Sequence, residues 1–257
     1  MSTLLDVIRT LPRDRADTLR QQVRLLGPEQ QQTLLTALRL EHRERCWADG
    51  LHWLRFVRTR DEADPGHTIK PFPADDPAIR AIWRELDTKQ RVICAKSRQM
   101  DMSWIACAFA CWWARSHPNT YVCVQTQKAE DAYKLVSSPK SSGYLGRCQF
   151  IERHLPAWLQ MPGTDEQQGA LTYTNGSMIE ALAGGADQIR GKVPSLIILD
   201  EFAYQQDAKG VYTAINPLVQ KGTKLVIVST PNGFSGNQFA MLFHGISTTM
   251  SLSNAGT

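Results

Sequence analysis

The sequence predicts an α/β fold: a three-layer architecture with a mostly parallel central sheet and an N-terminal helical appendage. Three stretches carry that expectation. The first is Val92-Ile93-Cys94-Ala95, an apolar run followed by a basic turn and then by a second apolar run, Trp104 to Trp113. The second is Ser195 to Glu201, SLIILDE, unbroken apolar sequence that ends in two carboxylates. The third is Lys224 to Val228, KLVIV, which ends in Ser229-Thr230. Strands that are apolar on both faces belong in a parallel sheet covered by helices on each side. Polar residues at their carboxyl ends lie where such sheets bind ligands.

The elements follow in order. Residues Ser2 to about Arg45 repeat Leu, Arg and Gln at helical spacing, with Leu4, Leu5, Ile8 and Leu11 on one face and Leu34, Leu35, Leu38 and Leu40 on another. Gly27-Pro28 separates two helices. Cys46 to Arg58 reads as a further helix, and Thr59 to Pro73, with Pro65, Gly66, Pro71 and Pro73, reads as a linker. Pro77 to Leu86 is a helix leading into the strand at Val92. Tyr121 to Gln125 (YVCVQ) is a second strand, Lys128 to Val136 a helix, and Ser137 to Gly146 a mobile surface segment. Phe150 to Leu159 is expected as a short helix carrying Trp158. Asn175-Gly176 between two short strand-like runs is a hairpin signal. Ala208 to Val219 is helical, and the small polar residues from Ser247 onward carry no packing signal and are expected to be disordered. The organisation predicted is a helical segment over 1–58, an α/β domain over 59–246 and an unstructured tail over 247–257.

With 257 residues, 42% of them hydrophobic, the chain is long enough for one large core. A net charge of +4 is compatible with nucleic-acid contact without demanding it. The six cysteines lie mostly in apolar runs and show no zinc spacing, so they read as small buried hydrophobes in a reducing compartment. No stretch of the sequence reads as a secretory leader or a bilayer span, and a cytoplasmic protein that does not engage membrane is expected.

The turn after the first strand, Lys96-Ser97-Arg98-Gln99-Met100-Asp101-Met102-Ser103, has the layout of a phosphate-binding loop: strand, basic turn, hydroxyl, helix. It departs from the glycine-rich pattern that ends in Gly-Lys-Ser/Thr. With Ser103 as the metal-binding hydroxyl, Met102 stands in place of the lysine and Asp101 in place of the second glycine, and Lys96 opens the loop instead. An ordinary strand–helix junction with exposed basic residues is the plain alternative. The two acids Asp200 and Glu201 follow roughly 100 residues on, a separation that keeps both segments within one domain. In a nucleotide hydrolase the first acid holds magnesium and the second polarises the attacking water. The alternative there is a strand leading into a solvated turn.

KSRQMDMSW, IRGKVPSLIILDEFAY and LVIVSTPNG, in that order, resemble the ATPase half of the large terminase subunit of tailed bacteriophages, over about Phe72 to Phe243. The resemblance implies a P-loop NTPase fold of the RecA/ASCE type and a motor that packages viral DNA. It implies ATP and Mg2+ as cofactors, with the loop Lys96 to Ser103 around the phosphates and Lys96 and Arg98 on the β- and γ-phosphates. Ser103 and Asp200 would ligate magnesium, Glu201 would be the catalytic glutamate, and Ser229-Thr230 would couple hydrolysis to DNA movement. Phe72 stands near the family's adenine pocket, where it would stack on the base or serve as a core anchor. Arg190-Gly191 resembles a basic turn that precedes the acid-bearing strand, and a flexible glycine loop is the alternative. The implied partners are double-stranded DNA, the portal protein, the small terminase subunit and further copies of the chain in a ring, with a monomer possible for the isolated domain. The family's RNase H-like nuclease half has no counterpart in the sequence, so nuclease activity is not expected from it and a natural truncation or remnant is one reading. Asp101 among the phosphate ligands, and that missing half, motivate a non-catalytic alternative. A helicase-like ATPase is a third reading.

Overall fold

The computed structural model describes residues 4–8, 11, 13–61, 64, 66–96, 102–232, 237–245 and 249–251. Three helices open the chain: α1 (Leu4–Ile8), α2 (Arg13–Val23) and α3 (Pro28–Ala48). Val7, Ile8, Leu11, Leu35 and Leu38 form a small core of their own there. The expected helix over Cys46 to Arg58 is instead divided. Asp49 ends α3 and caps α4 (Gly50–Leu54), its carboxylate accepting from the N–H groups of Leu51 and His52. Gly50 is required at that corner, because a Cβ there would stand 2.4 Å from the indole of Trp83. Trp53, Leu54, Phe56 and Val57 enter the main core, so the N-terminal helices are joined to the sheet domain by packing.

The expected linker holds a small hairpin, β1 (Arg58–Arg60) with β2 (Ile69–Pro71). Next come α5 (Pro77–Thr88), β3 (Arg91–Ala95), α6 (Met102–Ser116), β4 (Tyr121–Gln125) and α7 (Ala129–Leu135). The segment expected to be mobile, Ser137 to Gly146, contains a 3₁₀ turn at Lys140–Ser142, and its first residues Ser137 and Ser138 are buried. The following helix, α8 (Arg147–His154), starts and ends earlier than expected. Pro156 disfavours helical geometry at Leu155, which is extended (φ −63°, ψ 148°), so Trp158 lies beyond the helix.

Strands β5 (Asp165–Gln167), β6 (Ala170–Thr172) and β7 (Met178–Leu182) form a meander. Asn175-Gly176 does turn β6 into β7, with Leu171 opposite Ile179. Only Gly176 has positive φ (83°), and Tyr173 and Ser177 close the loop, so a three-residue turn replaces the two-residue one. The rest is β8 (Leu196–Asp200), α9 (Ala208–Gln220), β9 (Lys224–Ser229), α10 (Gln238–Gly245) and β10 (Thr249–Ser251). Strand β10 corrects the expectation of an unstructured tail: Thr249 to Ser251 pair in parallel with Ile93 to Ala95.

Among the described residues one eight-stranded sheet has the order β10-β3-β9-β8-β4-β7-β6-β5. It is mixed: β10 through β7 are parallel, and β6 and β5 add an antiparallel edge. In the central strands β8 and β9 both faces are buried, as the apolar runs require. In β8, Leu196 and Ile198 face the core with α5, α6 and α8, while Ile197 and Leu199 face the core with α9 and α10. All six cysteines are buried and free, and burial pushes the thiols of Cys94 and Cys123 up to about 12. Among the described residues no helix is long and apolar enough to cross a membrane.

Candidate active site

Strands β3, β9 and β8 are neighbours running the same way, so their carboxyl ends stand side by side. Each ends on a polar residue that the sequence singled out. Lys96 is the first residue beyond β3, Asp200 is the last of β8 and Ser229 the last of β9. Helix α6 begins at Met102 and brings Ser103 to the same rim.

The four side chains converge. Lys96 Nζ lies 3.3 Å from Asp200 Oδ1, 3.0 Å from Glu201 Oε1 and 3.1 Å from Ser103 Oγ. Ser103 Oγ donates to Asp200 Oδ2 at 2.8 Å. Lys96 and Asp200 are 8% and 5% exposed, whereas the side chain of Glu201 is 40% exposed. A buried ammonium is therefore held by two acids, of which one faces solvent. An ammonium in low dielectric needs such partners.

Glu201 has φ 50° and ψ 38°, left-handed geometry that costs a non-glycine residue about 1–2 kcal/mol. Several contacts hold it. Its N–H donates to Asp200 Oδ1 at 3.1 Å, and its Oε2 accepts from Thr230 Oγ1 at 3.3 Å and from the Thr230 N–H at 3.5 Å. The turn delivers the chain into a 3₁₀ turn, Phe202–Tyr204, with Phe202 fully buried. Ser229 ties that turn to the rim. Its Oγ accepts from the Ala203 N–H at 3.0 Å, and its carbonyl accepts from the Lys96 N–H at 3.0 Å. No local pattern signals the left-handed backbone at Glu201 or this double role of Ser229, since both arise from contacts between distant segments.

Among the described residues no group of three or more His, Cys, Asp or Glu is positioned to hold a metal ion. The Ser103 hydroxyl and the Asp200 carboxylate, 2.8 Å apart, are hard oxygen donors of the kind magnesium takes. A protein that offers only these two leaves the remaining positions to water and phosphate oxygens, which suits magnesium bound together with a polyphosphate.

Other expected site residues fall differently. Ser97, Arg98, Gln99, Met100 and Asp101 lie outside the described residues. Met102 is buried at the first position of α6. Phe72 is 4% exposed and packs in the main core, its N–H donating to the Val57 carbonyl, which is the placement of a core anchor. Arg190 sits at the surface and pairs with Asp187.

No protein-family model matches the chain. Among solved structures, the large terminase of bacteriophage HK97 matches with a TM-score of 0.54 at 14% identity, over 77% of this chain and 40% of that one. The large terminase ATPase domain of Thermus phage P74-26 matches with a TM-score of 0.49 at 23% identity, over 65% of this chain and 68% of that one. The large terminase of the thermophilic bacteriophage D6E, in complex with ADP, matches with a TM-score of 0.47 at 15% identity, over 68% of this chain and 43% of that one. The α/β fold described above is thus one that this chain shares with a bacteriophage large terminase.

Proposed function

We propose that the chain is the ATP-hydrolysing motor domain of a bacteriophage terminase large subunit, a P-loop NTPase that drives double-stranded DNA into a procapsid in the bacterial cytoplasm. The observation that carries this reading is the meeting of Lys96, Ser103, Asp200 and Glu201 at one rim of the sheet. Segments 104 residues apart in sequence supply an ammonium, a hydroxyl and two carboxylates within hydrogen-bond distance. That is the side-chain set phosphoryl transfer requires.

In this reading Lys96 presents its ammonium to the negative charge that develops on the phosphoryl oxygens, a fixed charge in a water-poor site. A polyphosphate entering the rim competes with Glu201 and Asp200 for that ammonium and frees the glutamate. Glu201, partly exposed and steadied by Thr230, then orients the attacking water. Ser103 and Asp200 are the residues that would hold magnesium, which supplies charge neutralisation to the phosphate oxygens when bound. Arg98 is assigned a second cationic contact, with Ser97 and Gln99 to Met102 completing the loop. Ser229 and Thr230 join the Lys96 backbone, the Glu201 carboxylate and the turn after β8, which supports their assignment as the coupling element. Double-stranded DNA, a portal protein, a small terminase subunit and further copies in a ring are the partners this function entails.

The test is ATP turnover with magnesium and duplex DNA by the parent and by Lys96→Ala. The parent is expected to turn over ATP and the variant to lose at least about 10²-fold, the usual effect of removing one transition-state charge contact. A parent with no turnover at saturating Mg-ATP, or a fully active Lys96→Ala, sinks the proposal.

A further inference from the structure

A cavity of about 350 Å³ opens between the starts of α9 and α10, and its lining includes Gln205, Ala208, Lys209, Gln238 and Phe239. The first N–H groups of a helix have no acceptor inside it. Caps meet one in each helix here. Asp207 Oδ1 accepts from the Gly210 N–H at 3.0 Å, and Asn237 Oδ1 accepts from the Ala240 N–H at 2.8 Å. The N–H groups of Ala208, Lys209, Gln238 and Phe239 make no hydrogen bond among the described residues. All four residues line the cavity. Two positive helix ends therefore meet at one place, with Lys209 beside them.

A further observation points to a missing partner. Gln205 lines the same cavity, is 7% exposed, and neither its amide nitrogen nor its amide oxygen has a partner among the described residues. A buried unpaired amide is costly, and a ligand oxygen that accepts from its NH2 group removes the donor's share of that cost. No carboxylate is among the lining residues, and Asp207, the neighbouring acid, is engaged with Gly210. Backbone donors, one ammonium, a buried amide and no acid together select a phosphate group.

We propose that this cavity binds a phosphate group, and, resting on the motor reading, that the group is a backbone phosphate of duplex DNA. The position gives the contact a consequence. Ala203, in the cavity wall, is held by Ser229 Oγ, and the next residue, Thr230, holds the Glu201 carboxylate. Duplex seated here touches the turn that aligns the proposed water-orienting acid.

The experiment measures binding of a short duplex by fluorescence anisotropy across a salt series, for the parent, Lys209→Gln and Gln205→Leu. Circular dichroism and thermal melting establish that each variant folds. Lys209→Gln is expected to weaken binding about 5–10-fold and to lower the salt slope by about 1. Gln205→Leu is expected to weaken binding with the slope unchanged, because it removes no charge. Unchanged duplex affinity in both folded variants overturns the proposal. A second arm titrates inorganic phosphate against melting temperature. Saturable stabilisation of the parent that Lys209→Gln abolishes, with duplex affinity equal in both, assigns the cavity to free phosphate and overturns the DNA assignment. ATP turnover without DNA is expected to be the same in all three proteins. A parent that binds duplex through Lys209 but hydrolyses no ATP refutes the motor reading and leaves the phosphate cavity standing.

Discussion

Helix α6 has a buried ion group at each end, and the two are built to different standards. At its C-terminal end Arg115 meets Glu152 in a bidentate pair, its Nε 3.0 Å from Oε1. The remaining nitrogen, Nη1, donates to the Leu159 carbonyl at 2.8 Å, and Tyr173 donates to Glu152 Oε1 at 2.9 Å. Every member is buried and engaged, and the contacts tie α6, α8 and the turn after β6 together. At the N-terminal end Lys96 is shared among three oxygens at 3.0–3.3 Å, one of its acids is partly exposed, and that acid sits on left-handed backbone. The first group is complete without any ligand. The second holds a cation and two acids together by contacts that an incoming polyanion can exchange, which is what separates chemistry from architecture here.

The largest expected effect tests the N-terminal group. Glu201→Gln keeps the shape and the Thr230 contact but removes the charge proposed to orient water. ATP turnover is expected to fall by about 10²–10⁴-fold, the range for loss of a general base, with the melting temperature nearly unchanged. A variant as active as the parent would remove Glu201 from the mechanism. Next in size is Arg115→Met, which leaves the Glu152 carboxylate buried without its guanidinium, with the Tyr173 hydroxyl still donating to it. Urea denaturation is expected to show a loss of about 3–5 kcal/mol. A loss below about 1 kcal/mol would erase the contrast between the two ends.

The smallest effect concerns pH. His52 on α4 lies 2.9 Å from His42 on α3, ring stacked on ring, and burial pushes its pKa down to about 4, with Arg45, His42 and Arg55 adding repulsion against the attraction of Asp49. The native state keeps His52 neutral while the unfolded chain protonates it near 6.5. Stability is therefore full above that value and declines as pH falls from about 6.5 to about 4, by at most roughly 3 kcal/mol. His52→Gln is expected to flatten that part of the pH–stability curve. An unchanged curve would show that the histidine pair contributes nothing to the joint between α3 and α4.

The central strands were legible because each is a run that must be apolar on both faces. YVCVQ was placed to the residue, and LIILD and KLVIV to within one residue. The capped breaks were less so: Asp49-Gly50 is a turn signal that the helical reading of Cys46 to Arg58 passed over, and the structure places the side-chain cap that divides α3 from α4 there. The hairpin β1–β2 and strand β10 are three-residue elements, too short for any periodicity to appear. At the candidate site, Lys96, Ser103, Asp200, Glu201 and Thr230 were all named from the motif order, while the cavity at Gln205 had no motif at all. Its donors are backbone N–H groups, which every sequence has and only a fold can aim.

The sequence by itself determined the α/β class, the covered sheet and the identity of the polar residues at the strand ends, because hydrophobic pattern and residue chemistry are local properties. Tertiary structure alone decided that Lys96 pairs with both acids, that Glu201 adopts left-handed backbone, and that the starts of α9 and α10 meet around Gln205. The physical reason is that these depend on strand order. Once β9 is inserted between β3 and β8, residues 104 positions apart stand 3.3 Å from each other, and nothing in a linear pattern encodes that insertion.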